Sequence, residues 1–261
     1  MIPLGPLEMA LAAALILANG AVSLVFKLGL GRRLLVAALR TVLQLFLLGL
    51  VLEHVFASES PAAIVGLMVL MALYAGFEAV RRTEHRVRGV YALSMGVMLV
   101  SSMLLTLYGT QLVLRVDPWY EPRYLIPILG MLLGNTLNGI SLGLETALAG
   151  FRAERERVEV LLAHGATPAE AGREVVRRSV RTGMVPILNS MVAAGVISIP
   201  GMMTGQILSG EPPGVAARYQ IFILFCIAGG VALGTAGVAL ASTRLVFDRR
   251  GRLRVDWIRT T

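Results

Sequence analysis

Several stretches of this chain have the length and apolarity of helices that cross a membrane. A crossing helix needs ~20 predominantly apolar residues to span the hydrocarbon, and such runs fall at 4–28, 34–55, 61–80, 90–114, 124–149, 184–208 and 219–245. Among 261 residues, 56% are hydrophobic and 15% charged, whereas a soluble domain carries roughly a quarter charged residues. The expected fold is therefore an all-α, polytopic membrane helix bundle of about seven spans forming one transmembrane domain over 1–261. The first run lacks a basic start and a small-residue cleavage site before Lys27, so it reads as a retained helix rather than a signal peptide.

The formal net charge of +8 does not point to nucleic acid, because the basic residues are segregated. Lys27, Arg32, Arg33, Arg81, Arg82, Arg86 and Arg88 fall in alternate connections, joined by seven arginines between Arg152 and Arg181 and six between Arg244 and Arg259. Only Arg115, Arg123 and Arg218 fall in the others, and Arg40 lies within a span. The positive-inside rule then places the N-terminus out and the C-terminus in, in a multi-pass cytoplasmic (inner) membrane protein. Trp119, Tyr120 and Tyr124 suit an aromatic belt at the outer interface. Cys226 is alone, so one chain can build no disulfide framework or thiolate metal site.

The long polar insert at 151–183 reads as two short helices meeting at a corner. Arg152/Glu156 and Arg155/Glu159 are spaced for i,i+4 ion pairs along a first helix over about 152–164. Val158, Leu161 and Leu162 share its apolar face, and His164 closes it. Gly165 sits where a helix ends in a left-handed residue. After Ala166, Thr167, Pro168 and Glu170 supply an N-cap, a first helical residue and the acid of a capping box. On residues alone, a rigid cytoplasmic knob and a solvated loop are both open.

The placement of this corner resembles the coupling segment of ATP-binding-cassette permeases, where a short helix docks into an ATPase. The chain also resembles the FetB/YbbM-type permease family, which includes plant half-transporters linked to aluminium tolerance. The matching stretches are Arg40-Thr-Val-Leu-Gln44, the run Ile126 to Asn135, Leu162-Ala-His-Gly-Ala-Thr-Pro168, Ser198-Ile-Pro-Gly-Met-Met-Thr-Gly-Gln206 and Arg218-Tyr-Gln220. The resemblance implies a homodimeric permease working with two copies of a separate ATPase and exporting iron. The plant relatives suggest an organic solute such as a nucleotide sugar instead. ATP would be consumed by the partner, with no cofactor bound here. A P-loop needs Gly-x4-Gly-Lys-Ser/Thr, and the one lysine, Lys27, lies between Phe26 and Leu28.

Polar groups within the apolar runs are the candidates for a translocation path, since such groups are costly in lipid. Arg40 and Gln44 lie one turn apart, with Arg40 ~9 Å from its helix end and so within snorkelling reach. Glu78 is spaced to pair with Arg82. Gly130, Gly134, Asn138, Ser141 and Glu145 form one stripe, flanked by Asn135, and Gly139 and Gly143 form a second small-residue edge. Such stripes serve close helix packing or line a path. In the run 184–208, Pro200 and Gly201 predict a helix break, with Asn189 and Ser190 before it and Met202, Met203, Thr204 and Gln206 after it. Methionine pairs suit either packing or soft-metal contact, and no stable metal cage is expected. An ion-coupled secondary transporter fits less well, because the carboxylates sit near span ends. A membrane enzyme would want a polar catalytic cluster at one interface.

Overall fold

A computed structural model of the chain describes residues 5–58 and 60–260. It is an all-α bundle with six helices long and apolar enough to cross a membrane among the described residues. The chain divides into two units, 1–60 and 61–261.

The first unit is a helical hairpin, α1 (Pro6–Val25) and α2 (Gly31–Ser58). The predicted start of its first span at residue 4 lies outside the described residues. Ser23 organises the turn: its hydroxyl accepts from the Leu30 amide at 3.0 Å while its carbonyl accepts from Leu28 at 2.9 Å. Lys27 and Gly29 both take positive φ there. Leu11, Leu15, Leu39, Leu43 and Phe46 stand exposed, as lipid-facing side chains do.

The second unit holds α3 (Pro61–Arg81), α4 (Val90–Leu107), α5 (Pro122–Ala153), α6 (Arg155–Ala163), α7 (Pro168–Ala171), α8 (Arg173–Ala193), α9 (Gly201–Leu208) and α10 (Pro213–Val246). A π-helical segment, Tyr108–Val113, extends α4 to its predicted length. Helix α5 is the hub and packs against α3, α4, α8 and α10. The crossing of α5 with α8 and α10 is close and made of small residues: a Cβ added at Gly183 would sit 2.7 Å from the Gly139 carbonyl oxygen, and one at Gly139 would sit 2.7 Å from Val231. Ser179 faces Gly143 one turn along. Glycines let backbones approach to this distance, where dispersion between helices is strongest. The Gly139/Gly143 edge is thus a packing edge, whereas Gly134 has nothing within 4 Å of an added Cβ.

Two expectations change. The run 184–208 is not one broken helix. Helix α8 ends at Ala193, a compact loop follows, and α9 begins at Gly201 after Pro200. The loop is closed by Ala193 and Ser198 carbonyls accepting from Ser198 and Gly195 amides, with Gly195 in the left-handed region. Pro200 therefore stands at the start of a new helix, where its missing donor costs nothing, and the chain breaks earlier, across 194–200. The second insert helix is also not a separate piece: α7 gives way at Gly172 to α8, which continues into the apolar region.

Candidate functional site

The arginine-rich end of the second unit gathers the C-terminal ends of α3, α5 and α10 with the whole insert. Glu154 separates α5 from α6, and its carboxylate joins Arg178 of α8 at 2.7 Å and Arg157 of α6 at 3.1 Å. These bonds set the angle at which the insert leaves the bundle. Within it Arg155 and Glu159 pair at 2.7 Å. The predicted Arg152–Glu156 pair does not form, because Arg152 belongs to the last turn of α5 and donates to the Thr260 hydroxyl at 2.7 Å.

The corner has the chemistry its residues predict. His164 is the C-cap of α6, with Nδ1 2.8 Å from the Val160 carbonyl oxygen. Gly165 adopts φ +90°, and its amide and that of Ala166 donate to the Leu162 and Leu161 carbonyls. Thr167 and Glu170 form a reciprocal capping box: the Thr167 amide donates to the Glu170 carboxylate at 2.8 Å, and the Glu170 amide donates to Thr167 Oγ1 at 3.3 Å. The Thr167 backbone N–H and then its hydroxyl hold the Glu170 carboxyl below its ordinary pKa. Five hydrogen bonds within the eleven residues 160–170 make this a rigid turn. Leu161 and Glu170 are exposed on it and Leu162 is half-buried.

The C-terminal segment, which composition marks only as a basic tail, is an ordered hook beside the corner. Asp248 accepts from the Arg250 and Arg252 amides at 2.9 Å and holds the Arg252 guanidinium. The first of these influences, the Arg252 amide, keeps the Asp248 carboxyl below its usual range. Phe247 and Leu253 pair across the turn, and Phe247 meets Phe151 edge-on. The segment ends in a two-stranded pairing of β1 (His85–Arg86) with β2 (Arg259–Thr260). Between hook and corner lies a cleft of about 630 Å³ lined by Leu162, Ala163, Ala166, Pro168 and residues 250–254. The buried Leu253 and Ile258 were the available signal for this hook.

Among the expected path residues, Asn138 and Glu145 come together at the α3–α4 connection. Arg82 Nη1 donates to Asn138 Oδ1 at 3.0 Å. Glu145 Oε2 accepts from the Glu84 and His85 amides at 2.9 and 3.1 Å, while Oε1 lies 2.6 Å from His85 Nδ1. This corrects the expected Glu78–Arg82 pair: Glu78 meets Arg81 instead, at 3.5 Å, because Arg82 reaches across to α5. His85 was not legible as Glu145's partner, since 60 positions separate them.

The remaining path candidates are dispersed. Arg40 and Gln44 are exposed on α2, within the hairpin unit. Asn135 donates back to the Met131 carbonyl at 2.9 Å, and Ser190 to that of Pro186. Asn189 is exposed, and Thr204 bonds back to the Pro200 carbonyl. Met202 packs against the core, and it and Met203 are half-buried. Gln206 has a buried Oε1 without a hydrogen-bond partner. Among the described residues, no three His, Cys, Asp or Glu side chains gather to hold a metal ion.

The chain is similar to the UPF0014 membrane protein slr1647 of Synechocystis, with 35% identity over 233 residues, covering 87% of this chain and 88% of the relative. It is 33% identical to the UPF0014 membrane protein STAR2 of rice over 86% of this chain and 78% of that one. It is 26% identical to the probable iron export permease protein FetB of Escherichia coli, over 97% of this chain and 96% of that relative. No solved structure matches. The profile of the uncharacterised protein family UPF0014 matches residues 6–247. The chain is a multi-pass membrane protein and belongs to the UPF0014 family.

Proposed function

We propose that this chain is the permease subunit of an ATP-binding-cassette transporter that exports a metal ion. It works as a homodimer driven by two copies of a separate ATPase, with its arginine-rich end in the cytoplasm. The observation that carries this reading is the capped corner, His164–Glu170, fixed by backbone and capping-box bonds at the end of two helices. A solvated linker has no need of such bonds, whereas a docking knob must keep its shape when a partner pushes on it. Beyond the corner, α8 runs 21 residues, with Pro186 inside it, or ~30 Å. It pivots at the Gly139–Gly183 crossing and ends at the hinge of 194–200. A displacement at the corner is thereby delivered to α9 and the core behind it, a lever from ATP hydrolysis to the path. The name of FetB, a probable iron export permease protein, supports a metal cargo and outward direction.

Replacing Gly165 and Ala166 together with tryptophan tests this reading. Gly165 at φ +90° admits no Cβ without strain. The double variant is expected to insert normally and to lose both co-purification with its partner ATPase and stimulation of that ATPase's ATP hydrolysis. Undiminished ATPase binding and stimulation would overturn the assignment.

A further inference from the structure

We infer that the cleft between the corner and the C-terminal hook is a second docking site for the partner ATPase, one that takes an apolar side chain flanked by carboxylates. The identity of the partner rests on the permease reading above, while the surface itself lies outside the corner on which that reading stands.

The cleft has two walls of different chemistry. Leu162, Ala163, Ala166 and Pro168 form one, from the end of α6 across the turn to α7, and residues 250–254 form the other. The walls touch where Gly251, at φ +73°, turns the hook against the corner: a Cβ added there would lie 3.5 Å from Pro168 Cγ. Beside this contact the cavity holds about 630 Å³. Each wall keeps its own shape, one through the Thr167–Glu170 capping box and the other through the bonds to Asp248. A pre-formed cleft spares its occupant the entropy of ordering it.

The lining selects the occupant. The corner wall and the buried Leu253 present carbon, which suits an apolar anchor. The charge around it is positive. Arg252 is held by Asp248 at 2.9 Å and Arg254 by Asp256 at 2.8 Å, while Glu159 on the opposite side is engaged by Arg155. Arg250 differs: its amide donates to Asp248, but among the described residues no carboxylate meets its guanidinium. An exposed, uncompensated arginine at the edge of an apolar cleft is complementary to an acidic partner surface.

The helices leading here favour a soluble partner over lipid. Helix α5 has 32 residues and α10 has 34, or ~48 and ~51 Å, against ~30 Å of hydrocarbon. Trp119 and Tyr124, exposed at the start of α5, suit the opposite interface, so the excess length falls at the cleft end. The hook is also tied to the bundle. Phe247 meets Phe151 of α5 edge-on, and β2 pairs with β1 of the α3–α4 connection. A partner seated in the cleft therefore grips α5 as well as α8.

The probe is the ATPase that co-purifies with the tagged parent permease, identified by mass spectrometry and purified. Its affinity for the permease in detergent is measured by surface plasmon resonance. Arg250→Glu reverses the free charge and keeps the amide that bonds Asp248, and Ala163→Trp fills the cleft from the other wall. Each is expected to weaken binding by about tenfold or more, with the hook still protected from trypsin at Arg252 and Arg254. Arg88→Glu makes the same change of charge on the exposed α3–α4 connection and should bind as the parent does. If Ala163→Trp does not elute as a single peak, Arg250→Glu and the milder Arg250→Ala carry the test. Parent-like affinity in Arg250→Glu, or an equal loss in Arg88→Glu, would overturn the cleft. So would Arg250-dependent retention of phosphatidylglycerol with ATPase affinity unchanged, which assigns the cleft to a lipid headgroup. In each of these cases the tryptophan variant at Gly165 and Ala166 still tests the corner by itself. If no ATPase co-purifies with the parent, the permease reading and the cleft fall together.

Discussion

Glu145 shows how a single polar residue on a membrane helix can be assigned by its partners. In sequence it completes a small and polar stripe that suits a path or a helix contact. In the fold its two oxygens accept from two consecutive backbone amides and meet the imidazole of His85. That arrangement clamps the α3–α4 connection to α5, and the Arg82–Asn138 bond adds a second tie two turns away. Glu145→Ala would leave the Glu84 and His85 amides to find water and would free His85. Both side chains retain some exposure, so solvent recovers part of the loss, and the expected cost is about 1–2 kcal/mol. A fall in the detergent melting temperature would register it. Glu145→Gln, which keeps one acceptor oxygen, should lose less. An equal loss in the two variants would mean that the charge, not the hydrogen bonds, makes the clamp.

At the scale of the element, α5 carries two glycine-bearing edges that sequence cannot rank. Gly139 faces the α8–α10 crossing, where an added Cβ would meet Val231 and the Gly183 carbonyl. Gly134 faces open space. The consequences of adding a side chain are opposite in sign. Gly183→Val forces α8 away from α5 and should destabilise by about 1–3 kcal/mol or more through overpacking. Gly134→Ala has no clash and removes backbone freedom from the unfolded chain, so it should be neutral or stabilise by up to about 1 kcal/mol. Melting temperatures of the pair in one detergent decide the matter. The open face also bears Asn138 and Leu142, and in the dimer proposed above it is the face available to a path.

For the molecule as a whole, the hook at 247–260 is the feature least expected from composition. It looks like a basic tail because arginines dominate it, yet Leu253 and Ile258 are buried and β2 pairs with a strand from the α3–α4 connection. Asp248 holds its turn together. Asp248→Ala is expected to release the segment, seen as at least several-fold faster trypsin cleavage at Arg252 and Arg254 with the transmembrane part unchanged. The same bonds give a pH dependence of known sign. The Asp248 pKa is lowered by folding, so its contribution is complete above the ordinary carboxylate range and fades as pH falls through the lowered value. The hook should therefore stay protected at mildly acidic pH and open only in stronger acid. Its loss near neutrality would contradict this.

The determinants legible in sequence are local. Apolar run length alone marks the helices, because a lipid-spanning segment must satisfy its backbone within itself. The corner follows from Gly165, Thr167, Pro168 and Glu170, whose bonds span three or four residues. The segregation of arginine to one end of the second unit is likewise a property of the connections. Tertiary structure decided the rest: which edge of α5 is packed, that the run 184–208 divides at 194–200, that Glu145 holds His85, and that the tail folds back against the corner. These outcomes depend on groups brought together from distant positions, where the energy of a contact is set by which backbones can approach. That is a matter of packing between helices, not of pattern within one.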